Sequence, residues 1–375
     1  MKIGIISTGG AGKIANYPDI PLEELYNSAG YNTGNFAFWG GLSKSIADEQ
    51  FFLPWDFNPY EVKEVYDALV FPAANQLSST VDLGFMADRF ELADLPVVVV
   101  GLGSQSHETH AAIELTAGTQ RWLSVMAERT SSIGVRGERS EDILRRYGIH
   151  NVEVVGCPSL FINESSSLGR EIEQRFNSGV DNLVICQGEM SHHAEEIEKN
   201  AFNFALKNDF PYICQAPDIV LSLATGKDSH LTLEDLRNII NFYCPSLSLQ
   251  DLLSFAKKNM KAFFDYEDWM NFLKNYDFSI GSRLHGNFLA LQAGIPAMVI
   301  CQDGRMSELA NTIKCPMANR SLFKKEWTIA DIKNEFIFDG SSFDENRAKL
   351  SSSYINIIER VGIKLSQYMK NISTY

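Results

Sequence analysis

Gly281-Ser282-Arg283-Leu284-His285-Gly286 is the stretch of the chain best equipped for chemistry. The planar fork of an arginine matches a phosphate or a carboxylate through two parallel hydrogen bonds. An imidazole two residues further on can lie beside the same anion. A bound anion favours the protonated ring, which is then a ready general acid. Gly286 leaves the backbone open to a ligand. The competing reading is purely structural, with Arg283 paired to a carboxylate and His285 capping backbone carbonyls. The flanks favour a site. Phe278-Ser279-Ile280 reads as a strand and Gly281-Ser282 as a turn. Asn287 to Gln292 reads as a helix that stops at Gly294, and Pro296 opens another strand. Ligands of open α/β sheets sit at the carboxyl ends of strands, beside the N-termini of the helices that follow.

The rest of the chain must supply such sheets. Short apolar runs end in turn residues at Ile3 to Ile6, Ala68 to Phe71 before Pro72, Val97 to Val100 before Gly101, and Val152 to Val155 before Gly156-Cys157-Pro158. Runs of this kind mark strands covered on both faces, hence parallel sheet. Gln120 to Glu128 has helical period. So has Ser140 to Tyr147, with Ser140 as its N-cap and Gly148 as its C-cap. After the polar stretch Asn163 to Ser167 the pattern restarts, with strands at Asn182 to Cys186, Tyr212 to Gln215, Phe278 to Gly281 and Ala297 to Ile300. This is an α/β chain of two Rossmann-like domains facing a cleft. The first spans residues 1–165 and the second 166–345. In the remainder, 346–375, Ile355, Ile358, Val361 and Leu365 share one helical face, so a C-terminal helix should pack back on a domain.

Composition narrows the partners. The 375 residues are 45% hydrophobic and 21% charged, enough for two ordinary cores. A net charge of −14 repels phosphate backbones, so no nucleic-acid partner is expected. An anionic small substrate needs a local cluster of cations. The start of the chain is too short and too soon glycine-rich for a signal peptide, and no run is long enough for a transmembrane segment. The six cysteines are scattered and read as reduced core thiols, Cys157 and Cys301 included. A cytoplasmic location follows.

Ser282-Arg283-Leu284-His285-Gly286-Asn287, followed by Leu289-Ala290-Leu291-Gln292-Ala293-Gly294-Ile295-Pro296, resembles the hallmark of polysaccharide pyruvyl transferases. Ile133-Gly134-Val135-Arg136-Gly137-Glu138-Arg139-Ser140 and then Val154-Val155-Gly156-Cys157-Pro158-Ser159 resemble a second element of that family. The resemblance implies a GT-B-like fold. It implies transfer of a pyruvyl group from phosphoenolpyruvate to two hydroxyls of a sugar in a surface-polysaccharide precursor, giving a cyclic ketal and phosphate. Arg136, Arg283 and His285 would hold the phosphoenolpyruvate, with His285 catalytic. Arg305, in Gln302-Asp303-Gly304-Arg305, stands where the family often has a lysine. No metal and no cofactor beyond this co-substrate is implied. The acceptor can be lipid-linked, which would bring the protein to the inner face of the membrane. Two other readings remain open, a GT-B-type nucleotide-sugar glycosyltransferase and a non-catalytic glycan-binding relative.

The first half departs from the family pattern. Asn35 stands where many members have an aspartate. Asn32, Asn35, Asn75 and Gln76, with Phe38 and Trp39, are candidate contacts for the acceptor sugar, because amides and aromatic faces suit polyols. Thr8-Gly9-Gly10-Ala11-Gly12-Lys13 fails the spacing of a phosphate loop and reads as a turn facing the cleft. His107-Glu108-Thr109-His110 and His192-His193-Ala194-Glu195-Glu196 lack the spacing of metal ligands and read as solvated surface.

Overall fold

A computed structural model describes residues 1–105, 113–190, 195–227, 231–318 and 326–374. Two six-stranded sheets, parallel throughout, carry the chain. The first contains β1 (Lys2–Ile6), β2 (Glu49–Leu53), β3 (Ala68–Pro72), β4 (Val97–Leu102), β5 (Ile133–Val135) and β6 (Val152–Val154). Its spatial order is β2-β1-β3-β4-β5-β6. The second contains β7 (Leu183–Gln187), β8 (Tyr212–Cys214), β9 (Met260–Lys261), β10 (Phe278–Gly281), β11 (Ala297–Ile300) and β12 (Met317–Ala318), in the order β12-β11-β10-β7-β8-β9. Each is a Rossmann-like unit, and together they make the two-domain, GT-B-like architecture. Chain order reverses between β7 and β10 in the second sheet, which opens a crevice at their carboxyl ends.

The central strands are buried at nearly every residue because helices cover both faces. One apolar cluster lines the outer face of the first sheet and another that of the second. A third runs through both halves, from Ile3 and Val98 to Phe288, Val299 and Tyr354. The halves are therefore joined by continuous core.

The C-terminal helix is longer and earlier than its periodicity implies. It spans Gly340–Glu359, and the chain then turns through Gly362 at φ 89°. Val361 and Leu365 thus lie beyond the helix that carries Ile355 and Ile358, although Leu365 is still buried. The helix packs back on both halves. Asp344 accepts from the Gly169 N–H at 2.6 Å, and the Tyr354 hydroxyl meets Ser45 Oγ at 2.8 Å. Buried Arg347 donates to the carbonyls of Leu160 (2.9 Å), Ser165 (2.6 Å) and Asn163.

Ser140 is not an N-cap. The helix Glu138–Arg146 starts two residues earlier, after Gly137. Glu308 from the other half accepts the Ser140 N–H at 2.7 Å, so a neighbouring element serves this helix start. Gly148 does adopt the left-handed conformation of a helix stop, at φ 77°.

Candidate active site

Helix Leu284–Gln292 starts where β10 ends, and Arg283 is its N-cap. Buried Asn287 ties strand to helix. Its Nδ2 donates to the carbonyls of Gly281 (3.1 Å) and Arg283 (3.0 Å), and its Oδ1 accepts from Ser279 Oγ at 2.8 Å. A side chain on Gly281 would meet the Cys186 carbonyl at 2.0 Å, so only glycine lets β10 run this close to β7. The strand–turn–helix segment is thereby fixed, with His285 on its first turn.

His285 faces the first half. Its Nε2 lies 3.7 Å from Cys157 Sγ, and the ring packs against Phe38 and Phe288. Part of the residue still touches solvent, but the imidazole itself is closely surrounded. Burial, then the charges of Arg136 and Arg305, push its pKa down from 6.5 to about 3. The ring is thus neutral in this state.

Arg136 and Arg305 approach the imidazole from opposite halves. Arg136 is buried, 3% exposed, and its Nη1 donates to Asn75 Oδ1 at 2.6 Å. Its Nε is buried without a protein partner. Burial lowers its pKa; Cys157 and Glu308 oppose that shift, and the like charge of Arg305 adds to it. Guanidinium remains charged even so. Any side chain on Gly103 would meet Arg136 Cδ at 2.6 Å, so the turn after β4 is shaped around this arginine. Arg305 Nη1 donates to Gln105 Oε1 at 3.2 Å, and its Nη2 pairs with Asp303 at 3.0 Å. Asp303 also caps helix Gly304–Thr312 through the Met306 N–H at 2.8 Å.

Arg283 is held elsewhere, against the loop after β7. Its Nη2 donates to the Gly188 carbonyl at 3.1 Å, and its Nη1 lies 3.6 Å from Glu189. Glu198, fully buried on helix Glu195–Asn208, organises that loop. It accepts from Gln187 Nε2 (2.9 Å), the Glu189 N–H (3.1 Å) and the Tyr212 hydroxyl (2.9 Å). Gln187 in turn accepts the Ser282 N–H. Burial raises the Glu198 pKa from 4.5 to about 7 against the pull of Arg283.

Arg136, His285 and Arg305 therefore come together, and Arg283 sits on the other flank of the same helix start. Gln215 separates the flanks. A side chain on Gly34 of the first half would meet Gln215 Oε1 at 2.5 Å, and one on Gly286 would meet Gln215 Nε2 at 2.8 Å. The amide is a wedge between two glycines.

The four amides named as sugar contacts have local partners. Asn32 Oδ1 accepts from the Gly34 N–H at 2.9 Å, and Asn35 Nδ2 donates to the Ala29 carbonyl at 2.9 Å. Asn75 holds Arg136, and Gln76 Oε1 accepts from the Ala74 N–H at 2.5 Å. Lys13 pairs with Glu267 at 3.3 Å, and the glycines before it form a turn. A groove of about 670 Å³ lies between helices Glu138–Arg146, Gly304–Thr312 and Gly340–Glu359, lined by Glu138, Arg146, Glu308, Asn346 and Lys349 among others, and Arg136, His285 and Arg305 do not line it.

Three residues carry more than the sequence signalled. Cys157 reads as a core thiol yet touches the imidazole. Gln215 and Glu198 stand outside every motif of the sequence. The one available signal for Gln215 was a polar side chain directly after a buried strand. His107 to His110 and His192-His193 lie outside the described residues. Among the described residues no group of His, Cys, Asp and Glu is placed to hold a metal ion.

A family model described as polysaccharide pyruvyl transferase matches residues 14–301. No curated protein matches the sequence. Solved structures with a similar course include the UDP-GlcNAc 2-epimerase of Methanocaldococcus jannaschii, 14% identical over 89% of this chain and 91% of that one, TM-score 0.43. The Anabaena protein HepE, in complex with UDP and glucose, is 13% identical over 96% of this chain and 98% of its own, TM-score 0.44. The UDP-GlcNAc 2-epimerase of Neisseria meningitidis is 12% identical over 100% and 97%, TM-score 0.41.

Proposed function

We propose that this chain, which belongs to the polysaccharide pyruvyl transferase family, takes its pyruvyl group from phosphoenolpyruvate and delivers it to two hydroxyls of a sugar in a surface-polysaccharide precursor. The observation that carries the donor is the convergence of Arg136 and Arg305 on one imidazole. Arg136 hydrogen-bonds a neutral amide rather than a carboxylate, so its charge is available. Arg136 so placed is completed by an anion, and Arg305, which pairs with Asp303 on one side, adds positive charge beside it. Phosphoenolpyruvate brings a phosphate and a carboxylate in one small molecule. Arg283 joins them by exchanging Glu189 for a donor oxygen.

The donor also resets the acid. Its negative charge offsets the cations that depress His285, so the imidazole gains a proton on binding. That proton passes to the methylene carbon, and the adjacent carbon becomes electron-deficient. A sugar hydroxyl attacks there and gives its proton to the now neutral ring. The second hydroxyl displaces phosphate, which leaves with that hydroxyl's proton, and closes the ketal. Arg136 and Arg305 stabilise the departing charge from fixed positions. No helix among the described residues is long and apolar enough to cross a membrane. In this reading a lipid-linked acceptor is met at the inner membrane face by peripheral association.

Thermal melting tests the donor. Phosphoenolpyruvate should raise the melting temperature, Arg136→Ala should abolish that rise, and UDP should have no effect. Stabilisation by UDP and none by phosphoenolpyruvate would replace this reading with nucleotide-sugar transfer. Phosphate release in the presence of a panel of synthetic hexosides then tests the reaction.

A further inference from the structure

A neutral imidazole needs a source for the proton it delivers, and a thiol lies against its Nε2. Cys157 follows β6 and is 1% exposed. Its Sγ lies 3.7 Å from His285 Nε2, within reach of an S–H···N hydrogen bond. The Ser159 hydroxyl donates to the same sulfur at 3.1 Å. In the tautomer that carries its hydrogen on Nδ1, the imidazole accepts the S–H at Nε2 while Ser159 donates to the same sulfur. Arg136 interacts with Cys157, and Arg305 acts on the same imidazole. Tyr354 from the C-terminal helix is the other titratable neighbour, held by Ser45 at 2.8 Å. Glu308 lies beyond Arg136. The Nε of Arg136 is buried without a protein partner, a donor that suits an anion.

We propose that Cys157 is the proton partner of His285 in the phosphoenolpyruvate reaction inferred above. When the donor binds, the S–H bond breaks, its proton moves to His285 Nε2, and the sulfur keeps the electron pair as a thiolate. Ser159 and the Arg136 guanidinium stabilise that thiolate. The imidazolium then gives its Nδ1 proton to the methylene carbon. The attacking hydroxyl returns a proton to Nδ1, and the Nε2 proton goes back to sulfur. The thiol is regenerated each turnover and forms no bond to carbon. Cys157 is thus a positioning residue that acts through His285.

Ultraviolet difference spectra of the whole protein near neutral pH read the thiolate directly. Saturation with phosphoenolpyruvate should raise the thiolate band in the wild type and not in Cys157→Ser, while both are stabilised by the ligand in melting. Cys157→Ala gives the same comparison if the serine variant does not fold. Stabilisation without a thiolate band, or an equal band in the variants, overturns the proposal and leaves the donor reading intact. Absence of any stabilisation of the wild type removes the donor reading and this proposal with it. In phosphate-release assays with the hexoside panel, Cys157→Ser should lower kcat ~10-fold or more with little change in KM for phosphoenolpyruvate. A raised KM at unchanged kcat would also overturn it.

Discussion

Two buried titratable residues leave opposite marks on stability. His285 has a folded pKa of about 3 against 6.5 for the free side chain. Between those values the unfolded chain binds the proton and the folded one does not, so stability falls as pH drops from 6.5 towards 3. Glu198 is the reverse, with a folded pKa of about 7 against 4.5. There the folded chain keeps a proton that the unfolded chain has lost, so stability falls as pH rises from 4.5 towards 7. Denaturant titrations across this range should separate the two. His285→Gln should flatten the acid side of the profile, and Glu198→Gln the side approaching neutrality. A profile unchanged by either substitution would mean these groups titrate normally. Residue identity was the most legible scale for the helix-start motif, because Arg283 and His285 sit in a local strand–turn–helix pattern. Cys157 and Gln215 were illegible because their roles come from partners 128 and 71 residues away in sequence, respectively (285 − 157 and 286 − 215).

At the scale of elements, the site is an assembly of helix starts packed through glycines. Gly34 is the cleanest test. Its backbone has an ordinary helical φ of −60°, so an alanine there is free of backbone strain. Its methyl would nonetheless meet Gln215 Oε1 at 2.5 Å and His285 Cβ at 3.3 Å. Gly34→Ala should cost about 1–3 kcal/mol in chemical denaturation, and turnover should fall with it as His285 shifts. A variant of wild-type stability and rate would show that the wedge yields freely. Strands buried on both faces, such as β3 and β4, were legible as apolar runs. Edge strand β2 was not, because Glu49-Gln50-Phe51-Phe52-Leu53 is half exposed and carries a mixed pattern. β9 and β12 are two residues each, too short for any period to register. The helices between β8 and β9 escaped notice for a different reason: they interrupt the strand–helix alternation with Asp218–Thr225, Leu233–Tyr243 and Leu249–Asn259 in succession.

At the scale of the molecule, the two halves do not behave as separable beads. Arg347 is 1% exposed and spends its guanidinium on three backbone carbonyls of the segment that joins the sheets. Burial lowers its pKa to about 10, with Asp344 opposing, so it stays charged at neutral pH. Arg347→Met would leave the buried Leu160 carbonyl and the half-buried Asn163 and Ser165 carbonyls without their donor and should lower unfolding free energy by about 3 kcal/mol or more in urea titration. A loss below 1 kcal/mol would show that water replaces the guanidinium there. Two α/β units were legible in the sequence because the strand grammar restarts after Asn163 to Ser167. The continuity of the core between them was not, since it depends on which helical faces meet.

That bolt from Arg347 and the glycine-flanked Gln215 have a practical corollary for anyone recombining relatives of this chain. A chimera joined in the polar stretch near residue 165 would pair a foreign first half with this chain's own Gln215, Gly286 and terminal helix. It would fold well only if the incoming half also brought a glycine at position 34 and carbonyls in register for Arg347. The exchangeable module is therefore the first half together with the last thirty-odd residues, grafted as one piece around an unaltered middle.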